Sequence, residues 1–182
     1  KAGMTAGSAD LKSAGALAFA PEGILLVADP IGGAIFAVDT GDAAGSPEAV
    51  KHNVPGLDQK IAAALGVKSG DLLVNDLVVN PASGNLYLSV SRGRGPDALP
   101  VLLRVDAAGK ISEVSLKEAK ASKALLPNLP AAGPAGKSNP RAEAITDVAY
   151  VDGKVIVAGL SNEEFASNLR SIPFPFKTAD PG

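Results

Sequence analysis

The feature that most limits this chain is one pattern written three times. Residues 16–39 read ALAFAPEGILLVADPIGGAIFAVD, residues 76–106 read DLVVNPASGNLYLSVSRGRGPDALPVLLRVD, and residues 147–176 read DVAYVDGKVIVAGLSNEEFASNLRSIPFPF. Each copy runs apolar, turns, runs apolar again, loops, and runs apolar a third time. The turns are Pro21-Glu22-Gly23, Pro81-Ala82-Ser83-Gly84 and Asp152-Gly153. Glycine supplies the positive φ that tight hairpins often need, so each copy predicts consecutive antiparallel strands. Second strands are predicted over 24–28, 86–90 and 155–158, and third strands over 34–38, 101–105 and 168–174. A fourth, outer strand is predicted at 48–53 in the first copy and at 111–116 in the second, with none in the third.

Val, Ile, Leu and Phe dominate these runs, parts of which alternate, and the first two strands of each copy are nearly apolar on both faces. A sheet with two apolar faces must be stacked between neighbours. Gly 20 and Pro 14 supply the dense turns that short strands require. From Ala16 to Asp76 is 60 residues, and from Asp76 to Asp147 is 71. Antiparallel four-stranded units recurring along a chain predict β-propeller blades. The expected fold is therefore all-β: a propeller fragment of three four-stranded antiparallel blades with short helical insertions between them. Blades usually repeat at ~40–50 residues, so each gap should carry an insertion. The predicted layout is blade 1 at about 14–54, a helical insertion at 57–67, blade 2 at about 72–116, a linker at 117–143, and an unfinished blade 3 at about 144–182. Asp58 is the expected N-cap of the insertion and Gly66 its C-terminal stop, with a second short helix expected over 117–126.

A chain of 182 residues suits one domain, and 46% hydrophobic with 20% charged residues is a globular composition. The net charge of −2 offers no basic excess to hold nucleic acid. No apolar run approaches the ~20 residues of a membrane span. The absence of cysteine removes disulfides, thiol catalysis and thiolate metal sites. The first residue is Lys1 rather than Met, which fits an exported chain, secreted or periplasmic, whose signal peptide has been removed.

Propellers typically need about 4–8 blades. Three blades leave apolar faces unpartnered, which makes such a chain sticky on its own. The expected partner is a second polypeptide or a C-terminal fragment that completes the ring, or further copies of the chain. A small sandwich complete in itself is the competing architecture.

Aligning the copies on their first strands places Asp76 and Asp147 at one position, where the first copy has Ala16. In a propeller that position faces a mouth of the central channel. Carboxylates and amides converging there, with Asn75 beside them, suit a hard divalent cation such as Ca2+. The alternative is local: each Asp caps its turn or holds the neighbouring blade's backbone. The loops after the second strands are the other candidate binding surface. They carry Arg92 and Arg94 in the second copy and Asn162 and Glu163 in the third, and propellers commonly recruit ligands on such rims. His52, the only histidine, is expected on a solvated outer strand. Residues 169–176 are punctuated by proline and expected to form an edge strand.

The stretches GILLVADPIGGAIFAVD and SGNLYLSVSRG, with LLRVDAAGKI after the latter, resemble blades of the NHL and SMP-30/gluconolactonase-like propellers. That superfamily includes binding modules, scaffolds and enzymes. The resemblance implies an exported binding or scaffold propeller, or alternatively a metal-dependent hydrolase of the lactonase type with a divalent cation at the channel mouth. The metal motif of those enzymes draws on Glu, Asn and Asp, and the first copy has no matching acidic residue.

Overall fold

The computed structural model describes residues 1, 3–7, 9–133, 139–162 and 167–176. The fold is all-β, with three antiparallel sheets and, among the described residues, a single α-helix. Each of the three sequence copies supplies the inner strands of one sheet. Sheet I takes β2 (Leu17–Ala20), β3 (Ile24–Asp29) and β4 (Ala34–Asp39). Sheet II is the meander β5 (Leu72–Val79), β6 (Leu86–Arg92), β7 (Leu99–Val105) and β8 (Ile111–Glu113). Sheet III is the meander β10 (Asp147–Val151), β11 (Lys154–Leu160) and β12 (Ser167–Pro173).

The hairpin chemistry works as the turn residues dictate. Asp152 and Gly153 have φ of 46° and 76°, the pair of left-handed residues that a two-residue hairpin needs. The following ladder runs from Val151↔Lys154 to Asp147↔Ala158 without a slip.

The outer edge of sheet I corrects the sequence reading. No strand forms over 48–53; Pro47–Ala49 is a short 3-10 turn. The fourth strand is instead β9 (Lys120–Leu125), taken from the segment expected to be linker and partly helical. Ala121 of KASKAL packs with Phe36 and Val38 on the sheet II side and Ala124 packs on the sheet III side, while Lys120, Lys123 and Leu125 stay exposed. β1 (Thr5–Ala6) pairs outside β9, so the strand order is β1-β9-β4-β3-β2.

Because β9 follows β8 in sequence, the chain leaves sheet II, crosses the outer edge of sheet I, and builds sheet III on the far side. Sheet I is therefore the middle layer. One face, with Leu25, Val27, Phe36 and Val38, packs on Tyr87 and Leu102 of sheet II. The other face, with Ile24, Leu26, Ile35 and Ala37, packs on Val148, Val155 and Val157 of sheet III. Leu25, Leu26, Val27 and Ile35 are fully buried, which explains why β3 and β4 are apolar on both faces.

The expectation of double burial fails for the innermost strands of the outer sheets. Leu73, Val74, Leu77 and Val79 of β5 are exposed, as is Val151 of β10. The far face of sheet II is covered only in its outer part, by α1 (Leu57–Leu65), whose Ile61 and Leu65 pack on Leu88, Val90 and Leu103. Gly66 ends this helix at φ 66°, donating back to Ala63. The N-cap is Gly56 rather than Asp58, which lies in the first turn where its charge meets the positive end of the helix. No described helix is long and apolar enough to cross a membrane.

Candidate functional site

Asp76 follows a β-bulge between Val74 and Asp76 in β5. The extra residue, Asn75, turns both polar side chains toward sheet I. Asp76 Oδ2 accepts the Leu17 N–H of β2 at 2.8 Å, and Oδ1 accepts the Leu77 N–H at 2.8 Å. Asn75 Nδ2 donates to Ala14 O at 2.8 Å and to Ser91 Oγ at 2.9 Å. Ser89 Oγ, across the ladder from Asp76, donates to Gly15 O at 2.6 Å. These side chains fasten the lead-in of β2 and close the inner end of the sheet I–sheet II seam.

Asp147 begins β10 with the same local bond, its Oδ1 accepting the Val148 N–H at 2.8 Å. Its surroundings differ. Val148 and Val157 face sheet I, so Asp147 and its ladder partner Ala158 face the other way. That outer face carries Asp147, Val151 at 51% exposure and Leu169 at 73%, with no described layer over it. Asp147 Oδ2 has no partner among the described residues, whereas Asp76 Oδ2 holds a neighbouring strand.

The two aspartates therefore stand on sheets separated by sheet I. No three His, Asp or Glu side chains gather as a cation cluster among the described residues. Each Asp76 carboxylate oxygen already accepts one backbone amide.

The candidate rim residues also separate. Arg94 turns back onto the Gly70 carbonyl, with the Asp71 carboxylate 3.9 Å away. Arg92 ends β6, exposed. The Asn162 amide donates to Asn128 O at 3.0 Å, and Gly33 O of the first copy's loop accepts the Leu126 amide at 2.9 Å, so one segment binds both loops. Glu163 lies outside the described residues. His52 is half-buried rather than solvated, with Nε2 2.7 Å from Gly84 O. Residues 169–173 do form an edge strand, and Phe174 and Phe176 fold back as an edge-to-face pair 5.2 Å apart.

Two buried aspartates escaped the sequence reading. Asp29 Oδ1 accepts from Ser13 N, Ser13 Oγ and Gly32 N, and Oδ2 from Lys12 N, all within 2.7–2.9 Å. Asp42 Oδ2 accepts from Ser83 Oγ, Asn85 Nδ2 and Tyr87 Oη within 2.7–3.0 Å. The available signal was an Asp directly after the apolar run in ILLVAD and another three residues beyond AIFAVD. No family model, curated protein or solved structure matches the chain.

Proposed function

We propose that this chain is a binding or scaffold module of propeller type, and that the Asp147 face of sheet III receives a further β-sheet from additional polypeptide. Under this reading the three sheets are blades that stack with one polarity. The Asp76-side face of sheet II packs on the Leu17-side face of sheet I. The Ala16-side face of sheet I packs in turn on the Val148-side face of sheet III. The next face in that series is the one bearing Asp147. The observation that carries the reading is Asp147 itself. It repeats the Asp76 bond to its own following amide, and its second oxygen, on an exposed apolar face, has no partner among the described residues.

Sedimentation of the native material tests this. An assembly larger than the 18.1 kDa chain, dissolved by Leu169→Lys, is the expected result. A monodisperse 18.1 kDa monomer would overturn it.

A further inference from the structure

Sheets I and III splay apart at their outer edges, and the wedge between β9 and β12 holds a cleft of about 330 Å3. That is near the lower end of the ~300–1,000 Å3 typical of small-molecule sites. Leu125, Pro127, Ile172 and Pro173 form much of its apolar wall. Asn128 and Asn168 add neutral polar groups, and Arg170 is the one ionisable residue among the described residues that line it.

Arg170 pairs with Val157 across the β11–β12 ladder, so its side chain shares the face turned toward sheet I. Nη2 donates to Pro127 O at 3.2 Å. Nη1 is buried and has no partner among the described residues. A buried donor left unmade costs free energy, and a cationic one costs more. Burial lowers the Arg170 pKa, the same penalty on its charge seen from the proton's side. An oxygen anion meeting Nη1 would remove that penalty through a charge-assisted hydrogen bond. One cation with no carboxylate among the described lining residues matches a single negative charge; a phosphate dianion would leave charge uncompensated in an apolar wedge. The flanking Leu, Ile and Pro side chains suit a hydrocarbon body.

We propose that the Arg170 cleft binds a small monocarboxylate with an apolar tail, the carboxylate on Nη1 and the tail along Leu125, Pro127 and Ile172. The site lies on the sheet I side of β12, opposite the face that bears Asp147. Its occupancy is thus independent of the docking proposed above.

Calorimetric titration of hexanoate into the full chain tests the proposal, with 1-hexanol and inorganic phosphate as comparison probes. Hexanoate should bind at least about tenfold more tightly than either, and Arg170→Met should weaken it by about tenfold or more. Leu125 is 64% exposed, so Leu125→Asp should keep the fold while its charge repels the carboxylate to a similar extent. This second variant decides the matter if Arg170→Met fails to fold. Hexanoate binding no tighter than 1-hexanol, phosphate binding as tightly as hexanoate, or full hexanoate affinity in either folded variant would overturn the proposal.

Discussion

The Tyr87 hydroxyl donates to Asp42 Oδ2 at 3.0 Å, tying sheet II to the loop that follows sheet I. Ser83 and Asn85 donate to the same oxygen at 2.7 and 2.9 Å. Burial pushes the Asp42 carboxyl up, but the bonds from Asn85, Ser83 and Tyr87 outweigh it and hold the group below the usual carboxylate range. Burial pushes the Tyr87 phenol up to about 12, and the Asp42 charge adds to the rise.

Both shifts set pH limits on the seam. A depressed carboxylate stabilises the fold above its unfolded pKa of about 3.9, and that contribution is lost as pH falls through the lower folded value. A raised phenol contributes below about pH 10, and its contribution is lost as pH rises toward about 12. Asp42→Asn should therefore cost about 2–3 kcal/mol at pH 7, with the gap to the parent narrowing by pH 3. Urea unfolding at both pH values measures it, and parallel acid slopes in the two proteins would refute the assignment.

Asp76 and Asp147 should separate sharply in the isolated chain. Asp76→Ala strips the acceptor from two backbone amides at a sheet seam and should cost about 2 kcal/mol by chemical denaturation. Asp147→Ala removes one bond at an exposed strand start and should cost under about 0.5 kcal/mol. Added Ca2+ should leave the unfolding midpoint unchanged. A calcium-dependent rise that Asp76→Ala erases would make the position a cation site instead.

The division between what the residues announced and what they hid has a physical cause. Asp152-Gly153 demanded a hairpin because few other pairs populate two left-handed conformations cheaply, and the hairpin formed. Gly66 announced a helix end for the same reason. Strand β9 was hidden because KASKAL has modest strand propensity and takes its shape from pairing with β4, a tertiary effect that local composition does not encode. The middle position of sheet I was hidden as well, since it shows only in the packing of its two faces on sheets II and III. Asp76 was legible as a repeated position. Its work depends on Leu17, 59 residues away, so its role became visible only in three dimensions.

Gly159 is required by proximity rather than by conformation. A Cβ there would land on the Ala144 carbonyl oxygen and crowd Ile145, where the 3-10 turn Pro140–Glu143 runs into the start of sheet III. That neighbour is backbone and cannot swing aside. Gly159→Ala should cost about 3 kcal/mol or more. Gly153→Ala is the matched control: nothing lies within 4 Å, and only its φ of 76° is strained, so about 1 kcal/mol is expected. Thermal or urea midpoints compare them, and equal losses would contradict the steric account.

The remaining prediction concerns the Asp147 Oδ2, which no described residue holds. If sheet III docks a further sheet as sheet II docks sheet I, Oδ2 should accept the first amide of the incoming strand, as Asp76 accepts Leu17 at 2.8 Å. Asp147→Asn retains an acceptor for the Val148 amide but presents an NH2 donor where the incoming N–H needs an oxygen. Two donors then face each other in a desolvating interface. The substitution should weaken the native assembly by about tenfold while shifting the stability of the separated chain by less than about 0.5 kcal/mol. Sedimentation equilibrium reads the first quantity and urea unfolding the second. Undiminished assembly would detach Asp147 from docking and leave only its bond to Val148.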